Sequence, residues 1–285
     1  MPKLFGKGAL MHALIYRSAH YGLARRGIRA VVLLAFPVGF LHAADALTWQ
    51  QKEEFLTKAK ITQTKDAKKG VTGTSRLTLT DGTLTHDASV QTIDDYKPNF
   101  LNEIGFKDSF KFNIAGWKLA RLLGIDDMIP PSVKRSFQGK AASFTWWIDN
   151  IIMDETERRA KNAQPLDAEA WNQENNVMQV FDQLIYNMDR NQTNMLIDQG
   201  WHLWLIDHSR SFRVHKSLKD ASVLKSVDRG MLAKMKALDE ATLIKEFGRD
   251  VSKDEVHGLL ARRDLIVKFF DSKGESALFD RPKRN

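Results

Sequence analysis

The chain has 285 residues, 43% of them hydrophobic and 27% charged, with a net charge of +8 and no cysteine. This balance excludes a disordered chain, and the lack of cysteine excludes disulfides and thiolate chemistry. Lys3, Lys7, Arg17, Arg25, Arg26 and Arg29 supply six of the eight excess charges before residue 44, so the basicity belongs to a leader and gives no nucleic-acid signal in the body.

Residues 1–43 read as a signal peptide or N-terminal anchor. Arg25-Arg26-Gly27-Ile28-Arg29 forms a charged stretch, Ala30 to Leu41 an apolar run, and Leu41-His42-Ala43 and Ala44-Asp45-Ala46 offer small-residue cleavage sites. The run is shorter than the ~20 apolar residues of a membrane span. The expectation is a periplasmic or secreted protein, with anchoring to an inner membrane through residues 30–41 as the alternative.

Residues 47–69 form a mixed polar opening anchored by Trp49, Phe55 and Leu56. Alternation of Leu77, Leu79, Leu84, Ala88 and Val90 around Asp81-Gly82 predicts a hairpin. A helix follows, with Asp108 or Ser109 as its cap, a stripe of Phe112, Ala115, Leu119, Leu122 and Leu123, and a stop at Gly124. Strands are expected around Ser132–Val133 and Ala142–Trp147, and Asp154–Gln164 reads as a charged, solvated linker. Trp171 to Met188 carries a helical stripe of Val177, Val180, Phe181, Leu184, Ile185 and Met188. Met195–Ile197 and His202–Ile206 read as short strands, Asp228–Phe247 and Ser252–Phe270 as two or three helices, and the Arg-Pro-Lys-Arg-Asn tail as frayed.

The chemistry gathers between Tyr186 and Phe212. Asp189 and Asn194 are five residues apart and Asp207 lies thirteen further on, so a hairpin between the last two would bring both to one edge. Oxygen donors of this kind suit a hard cation. Asp and Asn also cap turns, and that reading stays open at this point. Arg190 fits a structural ion pair, and His208 fits a packed residue. His86 and His202 lack the spacing of a zinc site.

The stretches N-M-D-R-N-Q-T-N-M-L-I and L-W-L-I-D-H-S-R-S-F, with F-N-I-A-G-W-K-L-A-R-L-L-G upstream, resemble the atypical kinases. The likeness is to type II phosphatidylinositol 4-kinases, HipA-like kinases and secretory-pathway kinases, with this chain a divergent bacterial member. It covers roughly residues 70 to 215 and implies an α+β, protein-kinase-like two-lobed fold. The small β-rich N-lobe with one helix would span 44–153, and the mainly helical C-lobe 154–285. The resemblance implies Asp189 as the catalytic residue and Asn194 and Asp207 as metal ligands. The cofactors would be ATP and Mg2+, with Mn2+ as an alternative. Gly70 and Gly73 would stand in the phosphate-covering loop. Gln91 occupies the place of the third-strand lysine, with Lys97, Lys69 or Arg76 as substitutes. Asn113 is nearest the place of the helix glutamate that pairs with that lysine. The implied partners are a nucleotide and a lipid, protein or sugar acceptor, and a membrane only through the leader. The function implied is a phosphotransferase, with a catalytically inactive nucleotide- or partner-binding module as the alternative and nucleotidyl transfer permitted by the same ligands.

Overall fold

Thr48 starts the described fold as the N-cap of a helix, α1 (Trp49–Lys58), its hydroxyl accepting from the Gln51 N–H and the Gln51 side chain accepting from the Thr48 N–H in return. The computed structural model describes residues 47–66, 74–100 and 103–284. The leader, Lys69, Gly70 and Gly73 lie outside these residues. Among the described residues no helix is long and apolar enough to cross a membrane.

The predicted hairpin forms as β2 (Ser75–Thr80) and β3 (Thr85–Gln91), closed by Asp81, whose carboxylate accepts from the N–H groups of Thr83 and Leu84. With β1 (Lys60–Asp66) it belongs to a five-stranded antiparallel sheet, completed after an inserted hairpin by β6 (Ser132–Phe137) and β7 (Lys140–Trp146). The spatial order is β1-β2-β3-β7-β6. Because strand side chains alternate, register divides the sheet into two unlike faces. Leu77, Leu79, Ala88, Val90, Phe144 and Trp146 share one, packed with Phe55, Leu56 and Ala59 of α1. Arg76, Thr78, Asp87, Ser89, Gln91, Ser143 and Thr145 share the other, which is polar throughout.

The inserted hairpin, β4 (Asp94–Phe100) with β5 (Glu103–Ser109), was not legible in the sequence. It leads into α2 (Lys111–Leu123), whose N-cap is Phe110 and not Asp108 or Ser109. Ser109 Oγ does accept from the Lys111 N–H at 3.3 Å, while Asp108 turns to an arginine far along the chain. Gly124 ends α2 as expected, in the left-handed region at φ 74°.

Strand β8 (Ile151–Asp154) pairs with β9 (Met195–Asp198), which pairs with β10 (Leu203–Leu205). The stretch expected to be a solvated linker instead holds a short helix, α3 (Glu155–Ala160). Glu155 is buried and takes both Arg158 and Arg159 as ion partners, so the charges that suggested solvent face one another. Helix α4 (Ala168–Ile185) carries the predicted stripe into a core shared with α2, α5 (Arg229–Ala237), α6 (Glu240–Phe247) and α7 (Lys253–Lys273). A short parallel pair, β11 (Val227–Asp228) with β12 (Leu278–Phe279), then fixes the C-terminus. The tail is not frayed. Arg281 forms a buried bidentate pair with Asp127, and Arg284 donates to the Leu203 carbonyl. A β-rich half with two helices, α1 and α2, where one was expected, followed by a mainly helical half, is the α+β two-lobed arrangement that the kinase likeness implies.

Candidate active site

Helix α4 ends where Tyr186 takes a left-handed conformation, at φ 52°. The chain reverses there, and the Asp189 N–H is received by Asn187 Oδ1 at 2.9 Å. Asn191 then caps a 3-10 turn over Gln192–Asn194. Inside this loop Asn194 Nδ2 donates to the Asp189 carbonyl at 3.1 Å, so the two residues are held by each other.

The hairpin of β9 and β10 returns the chain to the same edge. The Ile206 N–H donates to the Asn194 carbonyl at 3.2 Å, which places Asp207 beside Asn194 as the spacing suggested. Arg190 fastens both sides. Its Nη1 donates to the carbonyls of Asn194 (2.9 Å) and Ile206 (2.8 Å), and its Nε donates to Asp182 at 2.9 Å, with both side chains 8% exposed. Arg190 is thus the structural ion pair expected of it. Asp207 sits at φ 51°, a left-handed conformation that Asp tolerates better than most residues and that is frequent where a side chain is held for function.

Asp189 remains partly open, its side chain 36% exposed. One carboxylate oxygen accepts from Asn191 Nδ2 (3.2 Å) and the other from Arg210 Nη1 (3.1 Å). Arg210 Nε meanwhile donates to the buried Asp108 at 2.7 Å, linking the loop to the inserted hairpin. Burial opposes the charge on Arg210, but Asp108, Asp189 and Asp207 outweigh it and raise its pKa. Sequence reasoning passed over Arg210. The available signal was a lone cation three residues after Asp207.

Gln91 and Asn113 stand at the two ends of one interaction. Asn113 Nδ2 donates to Gln91 Oε1 at 2.5 Å, and Asn113 Oδ1 accepts from the His208 N–H at 2.7 Å. Kinases place a lysine on the third strand paired with a helix glutamate. At the positions that the resemblance assigns to that pair, Gln91 and Asn113 are neutral amides bonded to each other, and Asn113 reaches the residue after Asp207. The sheet, α2 and the 207–208 segment are thereby joined. Burial pushes the His208 imidazole well below its usual range, assisted by the charge of Arg190, so it is a neutral packed side chain. A Cβ on Gly116 would come within 3.2 Å of the His208 ring, so glycine allows α2 its close approach.

Of the substitute cations within the described residues, Arg76 is engaged with Asp87 and Lys97 lies on the inserted hairpin. Arg76 and Lys65 both hold Asp87, at 2.6 and 2.9 Å, and Thr78 donates to the same carboxylate. Burial pulls the Asp87 carboxyl up, but these partners outweigh it and hold it below its usual range. Arg76 also stacks on Trp147, 3.9 Å from the ring centre. Lys97 is exposed on β4, opposite Phe106 on the inserted hairpin and off the five-stranded sheet.

Asp207 and Asn194 would offer a cation a carboxylate and an amide oxygen, one Asp207 oxygen also accepting from the Ser209 N–H at 3.3 Å. Among the described residues no group of three or more His, Asp or Glu could hold a metal. Two oxygen donors suit Mg2+, which is commonly held by one or two protein groups together with phosphate oxygens.

No family model matches the chain, and no curated protein matches it. Among solved structures it is similar to the crystal structure of a Helicobacter pylori proinflammatory kinase, CtkA. The identity is 12% and the TM-score 0.45, over 75% of this chain and 93% of that one.

Proposed function

We propose that the chain is a kinase-like phosphotransferase that uses ATP and a divalent metal, a divergent relative of the atypical kinases. One observation carries this reading. A loop hydrogen-bonded within itself, and clamped by Arg190, joins the Asn194 backbone to that of Ile206, the residue before Asp207, with a partly open Asp189 in the same loop. Turn capping alone does not require a buried arginine bridging the two segments.

Asn194 and Asp207 would hold Mg2+ or Mn2+. That ion supplies charge neutralisation at the phosphates. Asp189 would accept or orient the proton of the acceptor hydroxyl, whose oxygen takes the γ-phosphoryl group as ADP leaves. The acceptor belongs to the lipid, protein or sugar classes. With the leader read as an export signal, the site of action is periplasmic or secreted.

The Gln91–Asn113 pair favours a second reading, a nucleotide- or partner-binding module without turnover, because a neutral pair offers no charge to the phosphates. Radiolabelled ATP with Mg2+ separates the two. The enzyme reading expects slow transfer or autophosphorylation by the wild type, lost in Asp189→Asn while nucleotide still binds. Transfer that persists in Asp189→Asn would remove the role given to that carboxylate. Nucleotide binding with no transfer in either protein would establish the module.

A further inference from the structure

A metal-bound triphosphate is anionic, and Asp189 and Asp207 add negative charge of their own. A site of this kind needs a protein cation at the phosphates, and the residue in the usual place is the neutral Gln91, engaged with Asn113. Several other cations nearby are committed elsewhere. Lys65 and Arg76 hold Asp87, Lys111 holds Asp94, and Arg190 is buried against Asp182 and two carbonyls.

Arg210 differs in three respects. It lies three residues beyond Asp207 and touches Asp189 directly. Its side chain is 33% exposed, and Nη2 makes no hydrogen bond among the described residues. Its backbone is fixed, because its carbonyl accepts from the Met188 N–H and the neighbouring Ser209 carbonyl accepts from the Ser109 N–H. The guanidinium is therefore a positioned fork with one arm available, and such forks match phosphate oxygens in geometry as well as charge.

We propose that Arg210 is the phosphate-binding cation of this site, taking from the helical half the part that a third-strand lysine plays elsewhere. This rests on the reading of Asn194 and Asp207 as holders of a metal-nucleotide complex.

The test is calorimetry on the full chain with ATP and Mg2+, and separately with adenosine, which has no phosphate. Wild type is compared with Arg210→Gln, Arg210→Lys and Lys219→Gln, the last removing an exposed cation that donates to the Asn187 carbonyl two residues before Asp189. Arg210→Gln should weaken ATP about tenfold or more, the scale of one lost charge-assisted hydrogen bond, and leave adenosine unchanged. Arg210→Lys should restore part of the loss, and Lys219→Gln should behave as wild type. Gln91→Lys added to Arg210→Gln should also recover ATP affinity by returning a charge to the sheet side. If Arg210→Gln fails to fold because Asp108 loses its partner, the Asp108→Asn/Arg210→Gln pair replaces it in the same comparison. Unchanged ATP affinity in Arg210→Gln, equal loss of ATP and adenosine, or a loss seen instead in Lys219→Gln would each overturn the assignment. A wild type that binds neither ATP nor adenosine would overturn the nucleotide reading beneath it, a result distinct from the others.

Discussion

Replacing Arg190 by leucine tests whether the loop is held by the buried pair it forms with Asp182. Both side chains are 8% exposed. In Arg190→Leu, Asp182 would keep only the bond from Asn187 Nδ2 at 3.0 Å, leaving a buried carboxylate without a counter-charge. Breaking a buried pair from one side costs about 3–5 kcal/mol. The Ile206 carbonyl would also lose the Arg190 donor, while the Asn194 carbonyl would keep the Ile206 N–H. Asp182→Leu should cost a similar amount, because it orphans the guanidinium. In Arg190→Leu/Asp182→Leu neither charge remains, and the residual loss is about 1–3 kcal/mol from unmet backbone groups. The double variant should thus be more stable than either single one, with a coupling of about 3 kcal/mol or more. Urea unfolding followed by tryptophan fluorescence and circular dichroism measures all four proteins. Additive losses would refute the claim that Arg190 and Asp182 hold this loop as a unit.

Gly258→Ala should destabilise although alanine favours helix by about 1 kcal/mol, since its Cβ would lie 2.8 Å from the Arg213 carbonyl oxygen. A loss of about 1–3 kcal/mol is expected in thermal or urea melts. Arg281→Met should cost about 1–3 kcal/mol, because buried Asp127 loses its bidentate partner but keeps the Arg284 N–H and the nearby Arg284 guanidinium, and unfolding should become easier in denaturant at neutral pH. Burial raises the Asp127 carboxyl, but the hydrogen bonds and charge of Arg281, with those of Arg284, outweigh it and hold it below 3.8. Its contribution is therefore complete above the unfolded carboxyl's titration and is lost as pH falls through the folded one. A pH series of melts should accordingly show a shallower acid slope in Asp127→Asn than in wild type.

The sequence disclosed what rests on local pattern. Alternation placed β2 and β3, the 3.6-residue stripe placed α2 and α4, and the two short strands between Asn194 and Asp207 form the expected hairpin. Features decided by distant partners were hidden. The Asp94–Ser109 hairpin has Pro98 and no clean alternation, and its end is held by Asp108 reaching Arg210, 102 residues away. The Arg281 and Arg284 tail read as frayed because its acids, Asp126 and Asp127, lie more than 150 residues earlier. The two departures at Gln91 and Asn113 looked like separate losses from the kinase pattern. Read together, the two amides are complementary donor and acceptor, and that complementarity was the signal available.

The most direct measurement is nucleotide affinity of wild type and Asp207→Ala, with and without Mg2+, by calorimetry, with circular dichroism to confirm equal folding. The account predicts that wild type binds ATP more tightly with Mg2+, and that Asp207→Ala, folded as wild type, loses this dependence. A folded Asp207→Ala that keeps the full Mg2+-dependent affinity would contradict it.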